Sequence, residues 1–423
     1  MKRPFSLLLA LVLSVLLVSA CAVRKPPNEP SRFDRLATDA IARAVAERGL
    51  SAPPDGLKTA VVDRAEVRRY LRQRIKETGA DAMMDKAAKV LVDMGGLEPD
   101  VDLVAEMETL MLANIGGYYD WITKTLYIAD WMPGIMQGPI LVHEATHGLQ
   151  DHHHDLGRFM QPEEGLDDAN TAIASLVEGD ATLVMFEAMM ADSGAPTDAA
   201  SRDKAYAMME SQVSLQAKMM GGPPILAESM IFPYLGGMNM ARAARKRGGW
   251  KAIDSLYTDL PLSTEQIIHP EKLLGANPDY PQIVHLPSFA KEASFRTTLG
   301  EFGYRFLFRQ SEDRAAADRA AAGWDGDIAY LMLPNGPAGE TLTVAVSIWD
   351  SEADAIEAEA AIRGMKTATE HIARRGVRLI ALFGSVDSIP AVTVEGLLDS
   401  LTHAEVKSYK ALEAKVRSQM PTP

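Results

Sequence analysis

The run His143-Glu144-Ala145-Thr146-His147 constrains this chain more than any other segment. Its two imidazoles can share one ion only if the segment is helical, which sets them one turn apart on one face. Neutral histidines at that spacing suit zinc. Glu144, beside the first of them, is then placed to take a proton from a water near the metal. Catalytic zinc takes three protein ligands and keeps one position for water. The segment therefore calls for a helix and for a third donor delivered by another element.

The flanks supply both. Residues 116–128 set aromatic and β-branched runs around a polar turn, the pattern of a β-hairpin. Pro139 suits the first turn of a helix running through Ile140, Leu141 and Val142 into the motif, with Gly148 as its end or an interruption. Residues 167–192 predict the next confident helix, capped by Asp167 or Asp168. Glu178 on that helix is the best third ligand, completing a set of His143, His147 and Glu178 for one zinc per chain. Gly179 beside it costs a helix interior roughly 1 kcal/mol against alanine, which fits a close approach of the backbone to a neighbouring helix or the metal.

These residues resemble the gluzincin class of zinc metallopeptidases, in which a glutamate on a following helix completes the site. Glu178-Gly179-Asp180-Ala181 is similar to the motif of its aminopeptidase branch. Several segments also look like a group of bacterial, often lipid-anchored proteins classed as metallopeptidases from their motifs: 117–120, 143–155, 176–181, 263–272 and 324–327. The resemblance covers about residues 60–360 and implies a zincin-like core. Many gluzincins carry an aspartate four residues after the third ligand, where it orients a histidine. Here that position is Thr182, leaving Asp180 or Asp151 as the partner of a ligand histidine. An oxyanion donor is expected from Tyr234 or His269, as tyrosine or histidine serves in related peptidases. The adjacent His152, His153 and His154 point in different directions and are not expected to hold one ion.

The N-terminus carries an address. Lys2 and Arg3 precede an apolar run from Leu7 to Val18, too short for a durable membrane span, and Val18-Ser19-Ala20-Cys21 resembles the bacterial lipobox. Cleavage before Cys21, the chain's only cysteine, followed by its acylation gives a lipid-anchored protein of the bacterial cell envelope, facing the periplasm or the exterior. The net charge of −14 argues against nucleic acid as a partner.

The expected organisation is a signal peptide over 1–20, a proline-rich tether over 21–32, a zincin-like domain over 33–290 and an α+β accessory domain over 291–423. The fold class is α+β, predominantly helical. Helical spacing predicts helices over 33–50, 61–94, 101–113, 200–220 and 236–257, the last opening after Pro233. The expected activity is zinc-dependent hydrolysis of a peptide or protein substrate, with membrane contact through Cys21. Two rival readings share the ligands: an inactive zincin-like lipoprotein acting as a binding or assembly module, and a hydrolase of other amides or esters.

Overall fold

The computed structural model describes residues 31–132, 134–159, 164–194, 198–333, 340–385 and 394–419. Cys21, the signal and nearly all of the tether lie outside them. The fold is α+β and mostly helical. Among the described residues no helix is long and apolar enough to cross a membrane.

Three sheets organise the strands. The first has the order β1-β3-β2, with β1 (Lys58–Val62) parallel and β2 (Gly117–Asp120) antiparallel to the central β3 (Thr125–Ala129). The expected hairpin is therefore present. Asp120 makes its turn by accepting from the Ile122 N–H (2.7 Å) and the Thr123 hydroxyl (2.6 Å), while Lys124 takes the left-handed conformation at φ 53°. The expected helix over 61–94 begins instead at Arg64, because Asp63 and Glu66 form a capping box, and it breaks at Gly79, where φ is 68°. The β-branched residues just before Asp63 pair into β1.

The helix carrying the motif spans Gly134–His154, so Pro139 lies inside it rather than in its first turn. Gly148 does not end it: a Cβ there would lie 2.6 Å from Leu57 Cδ1, so this glycine seats the helix against Leu57. The next long helix, Asp167–Asp192, is buried on almost every side, packed against the motif helix, the N-terminal helix Arg32–Arg48 and the helix Pro224–Gly248. Neither Asp167 nor Asp168 caps it; Asp168 is buried and accepts instead from the Thr264 N–H and hydroxyl.

The helix Pro224–Gly248 runs through Pro233, Gly236 and Gly237, residues that sequence reasoning placed at its start. Gly237 is there for contact. A Cβ on Gly179 would lie 2.0 Å from the Gly237 carbonyl carbon, and one on Gly237 would lie 1.8 Å from Ser175 O. The two helices cross backbone to backbone, which carries Tyr234 towards Glu178.

The largest sheet is antiparallel, in the order β5-β6-β7-β9-β8: β5 (Phe295–Thr297), β6 (Trp324–Met332), β7 (Leu342–Trp349), β8 (Ala368–Arg375) and β9 (Arg378–Gly384). The boundary expected at 290 does not separate two cores. β4 (Gln282–His285) pairs with β10 (Thr402–Glu405), and the helix Ala80–Asp93 packs on β5, β6 and β7. One hydrophobic cluster joins Val67, Tyr70, Met84 and Leu110 to Phe306, Ala345, Trp349 and Phe383. The early helices bury their apolar faces on the late sheet, a pairing that local periodicity does not encode.

Candidate metal centre

His143 and His147 project from one face of the motif helix into the body of the protein, and both are buried. Their Nε2 atoms lie 3.0 Å apart. Glu178 Oε2, arriving from the next helix, is 3.0 Å from the first and 3.4 Å from the second. The three residues expected as ligands thus converge, with donor atoms all within 4.8 Å of one another.

What they converge on follows from Gln150. Its Nε2 lies 3.0 Å from Val177 O, a carbonyl that can only accept, so this end of the amide is the NH2. Its Oε1 therefore faces His147 Nδ1 at 2.8 Å, and that nitrogen carries the hydrogen. In neutral His147 the lone pair is then on Nε2, aimed at His143 Nε2 and the Glu178 carboxylate. Such a cluster favours a positive partner, either a proton on an imidazole or a metal ion. Burial alone would push the Glu178 carboxyl up, yet His147 and the hydrogen bonds from both imidazoles hold it at about 2. Burial would lower His147, but Glu178 lifts it to about 9. Two imidazoles and a carboxylate suit zinc, which would supply that positive charge.

Glu144 faces the same space. Its Oε2 accepts the Tyr119 N–H of β2 at 3.0 Å, which fixes the carboxylate beside an edge strand. Burial pushes its carboxyl up, with the two histidines pulling the other way. Gly117 answers to the strand pairing instead: a Cβ there would sit 2.9 Å from Tyr127 O but at an ordinary 3.6 Å from Glu144 Cγ. Tyr234 stacks on His143 with ring centroids 5.7 Å apart. Its phenol is pushed well above its ordinary range by burial, then by the Glu178 and Glu144 carboxylates, so it stays a proton donor. These groups line one wall of a cavity of ≈ 340 Å³ whose other walls are mostly apolar, among them Met111, Ile140, Met185, Phe186, Met230 and Leu235.

The remaining candidates fall elsewhere. Asp180 lies behind the site, reaching His147 only through Gln150 Nε2 (3.1 Å), and it also accepts from Arg48 Nε (2.7 Å) and the Tyr257 hydroxyl (3.0 Å). Asp151 accepts from the Tyr119 hydroxyl (2.8 Å), Lys124 Nζ (2.6 Å) and the Leu156 N–H (3.1 Å), tying the hairpin to the motif helix rather than orienting a ligand. His269 does not line the cavity. It joins two short helices, with Nε2 3.0 Å from Glu301 Oε1 and 3.3 Å from Arg305 Nη2. Thr182 lines the cavity, and its buried hydroxyl has no partner among the described residues. Of the three adjacent histidines, His154 stacks on Tyr257 at 4.0 Å and His153 contacts Ser51 O at 3.0 Å. Gln150, Tyr119 and Arg48 escaped sequence reasoning; only Gln150, one turn after His147, carried a local signal.

A domain family of unknown function (DUF8575) matches residues 288–383, a span that takes in most of the five-stranded sheet and none of the residues around the cavity. No curated protein and no solved structure matches the chain.

Proposed function

We propose that the chain is a zinc-dependent hydrolase of peptide bonds, a zincin-like metallopeptidase of gluzincin type. The observation that carries this reading is the convergence of His143, His147 and Glu178 on one point beside Glu144. A zinc ion held by those three would polarise the scissile carbonyl and make a water acidic enough to attack it. Glu144 takes the proton from that water and passes it to the leaving amine, and burial raises its carboxyl, which helps it hold the proton between the two steps. Tyr234 donates its hydroxyl proton in a hydrogen bond to the oxyanion. The edge strand β2 offers backbone groups to an extended substrate, and the apolar cavity accepts a bulky apolar side chain next to the cleaved bond.

Acylation of Cys21 belongs to the same proposal and would hold the enzyme at a membrane of the bacterial envelope. A peptide library offered to the zinc-loaded protein and to Glu144→Gln tests the reaction. The wild type is expected to cleave, and the variant to lose about 10²–10⁴-fold in rate while keeping its zinc. Zinc bound without cleavage of any peptide would overturn the peptidase reading and favour a binding or assembly module.

A further inference from the structure

We infer that Gln150 is a positioning residue that fixes the ring of His147 and couples the two ligand-bearing helices. The inference rests on the metal-centre reading only for its consequence, not for its geometry. Gln150 is fully buried on the motif helix, one turn beyond His147. Each polar atom of its amide has a partner that dictates which way round it sits. The NH2 end meets two acceptors, Val177 O at 3.0 Å and Asp180 Oδ2 at 3.1 Å. The oxygen end is left for His147 Nδ1 at 2.8 Å. Flipping the amide would set its oxygen against a carbonyl and a carboxylate, which the buried site cannot tolerate.

Asp180 is in turn immobilised. Arg48 Nε reaches its Oδ1 at 2.7 Å and the Tyr257 hydroxyl reaches Oδ2 at 3.0 Å, with both side chains of the ion pair fully buried. Arg48 is anchored from behind by Asp254 at 2.6 Å and packs over the Trp250 ring at 4.8 Å. A chain of hydrogen bonds thus runs from the last turn of the N-terminal helix to the ring of a metal-ligating histidine. Val177 adjoins Glu178, so the same amide also holds the backbone from which the third ligand springs. His143 has no equivalent support, since its Nδ1 is buried without a partner among the described residues. A side chain holds His147 at Nδ1, whereas His143 is held by its packing on Tyr234 and its contact with Glu178.

The test is the His147 Nδ1–H proton, observed by NMR in the full chain in detergent with 15N-labelled histidine, with and without zinc. That proton is expected to exchange slowly with water in the wild type. In Gln150→Met it should exchange freely, and zinc affinity should fall about 10–100-fold. Gln150→Glu in its protonated form keeps a carbonyl acceptor for Nδ1–H and an O–H donor for Val177 O, and should keep the slow proton. A slow proton that persists in Gln150→Met, or none in the wild type, overturns the inference. If Gln150→Met does not fold, loss of the slow proton in Gln150→Glu overturns it. A slow proton in a wild type that binds no zinc would keep the positioning role and sink the peptidase reading, so the two failures are distinguishable.

Discussion

The carboxylates of Glu144 and Glu178 share one cavity, yet the structure pushes them in opposite directions. Glu178 meets two imidazoles and stays ionised, held at about 2, as a ligand must. Glu144 accepts one backbone N–H, and burial raises its carboxyl against the pull of both histidines, as the proposed proton transfer requires. Tyr234 is the third participant, and its phenol offers a test that leaves the ligands alone. Tyr234→Phe is expected to lower kcat by about 10²–10³-fold with KM little changed, since its bond forms only as negative charge develops on the substrate. Steady-state kinetics on a cleaved peptide checks it, and an equal rise in KM with constant kcat would assign Tyr234 to substrate binding instead. The convergence of His143, His147 and Glu178 was legible in sequence because helical spacing is local and chemistry narrows the third member. His269 was not: a histidine before proline marks the joint between two helices, and its partners Glu301 and Arg305 are supplied by a helix far along the chain. Gln150 carried only its position one turn after His147, because its acceptors lie on another helix.

Helices here obey their capping residues more closely than their prolines. Capping boxes at Ser31 and Asp63, and left-handed glycines at Gly49 and Gly79, fix ends that the sequence announces. Pro139 and Pro233 instead sit inside helices, because burial of the long helix outweighs the one hydrogen bond each removes. The glycine pair at the crossing is the sharpest case. By propensity, Gly179→Ala would stabilise the helix by roughly 1 kcal/mol. A Cβ 2.0 Å from the Gly237 backbone reverses that expectation. Gly179→Ala should destabilise by about 1–3 kcal/mol, as overpacking does, and the forced separation should weaken zinc binding through Glu178. Thermal melts with a zinc titration check this, and a raised Tm would contradict the crossing.

At the scale of the molecule, buried acids on the helix Asp167–Asp192 and on β6 hold the Thr264 and Leu299–Gly300 turns between them. Asp168 accepts from Thr264, Asp327 accepts from the Leu299 and Gly300 N–H groups, and Gly300 must be glycine because a Cβ would fall 1.6 Å from Asp168 Oδ1. Burial raises these carboxyls, Asp168 to about 8 and Asp327 to about 6, with the neighbouring charge of Asp327 adding to the effect on Asp168. A carboxyl whose folded value lies above its unfolded one binds protons more readily when folded, so stability falls as pH rises from the ordinary carboxylate range to the folded value. The Tm should therefore drop between pH 5 and about pH 8. Asp168→Asn, which keeps an acceptor for Thr264, should flatten that slope; an unchanged slope would remove Asp168 from the account. This joint between the two halves of the chain could not be seen in sequence, where composition and periodicity shift near residue 291 and suggest a separate domain. One hydrophobic cluster and the strand pair β4/β10 cross that position, while a second cluster is built from 284–401 alone, so the shift marks a change of secondary structure that some packing spans.

Zinc content tests the central claim most directly. The purified full chain, loaded with zinc and dialysed, should retain about one ion, whereas His147→Ala and Glu178→Ala, each checked for folding, should retain far less. Elemental analysis that finds no zinc in the wild type, or the same zinc in all three proteins, would contradict it.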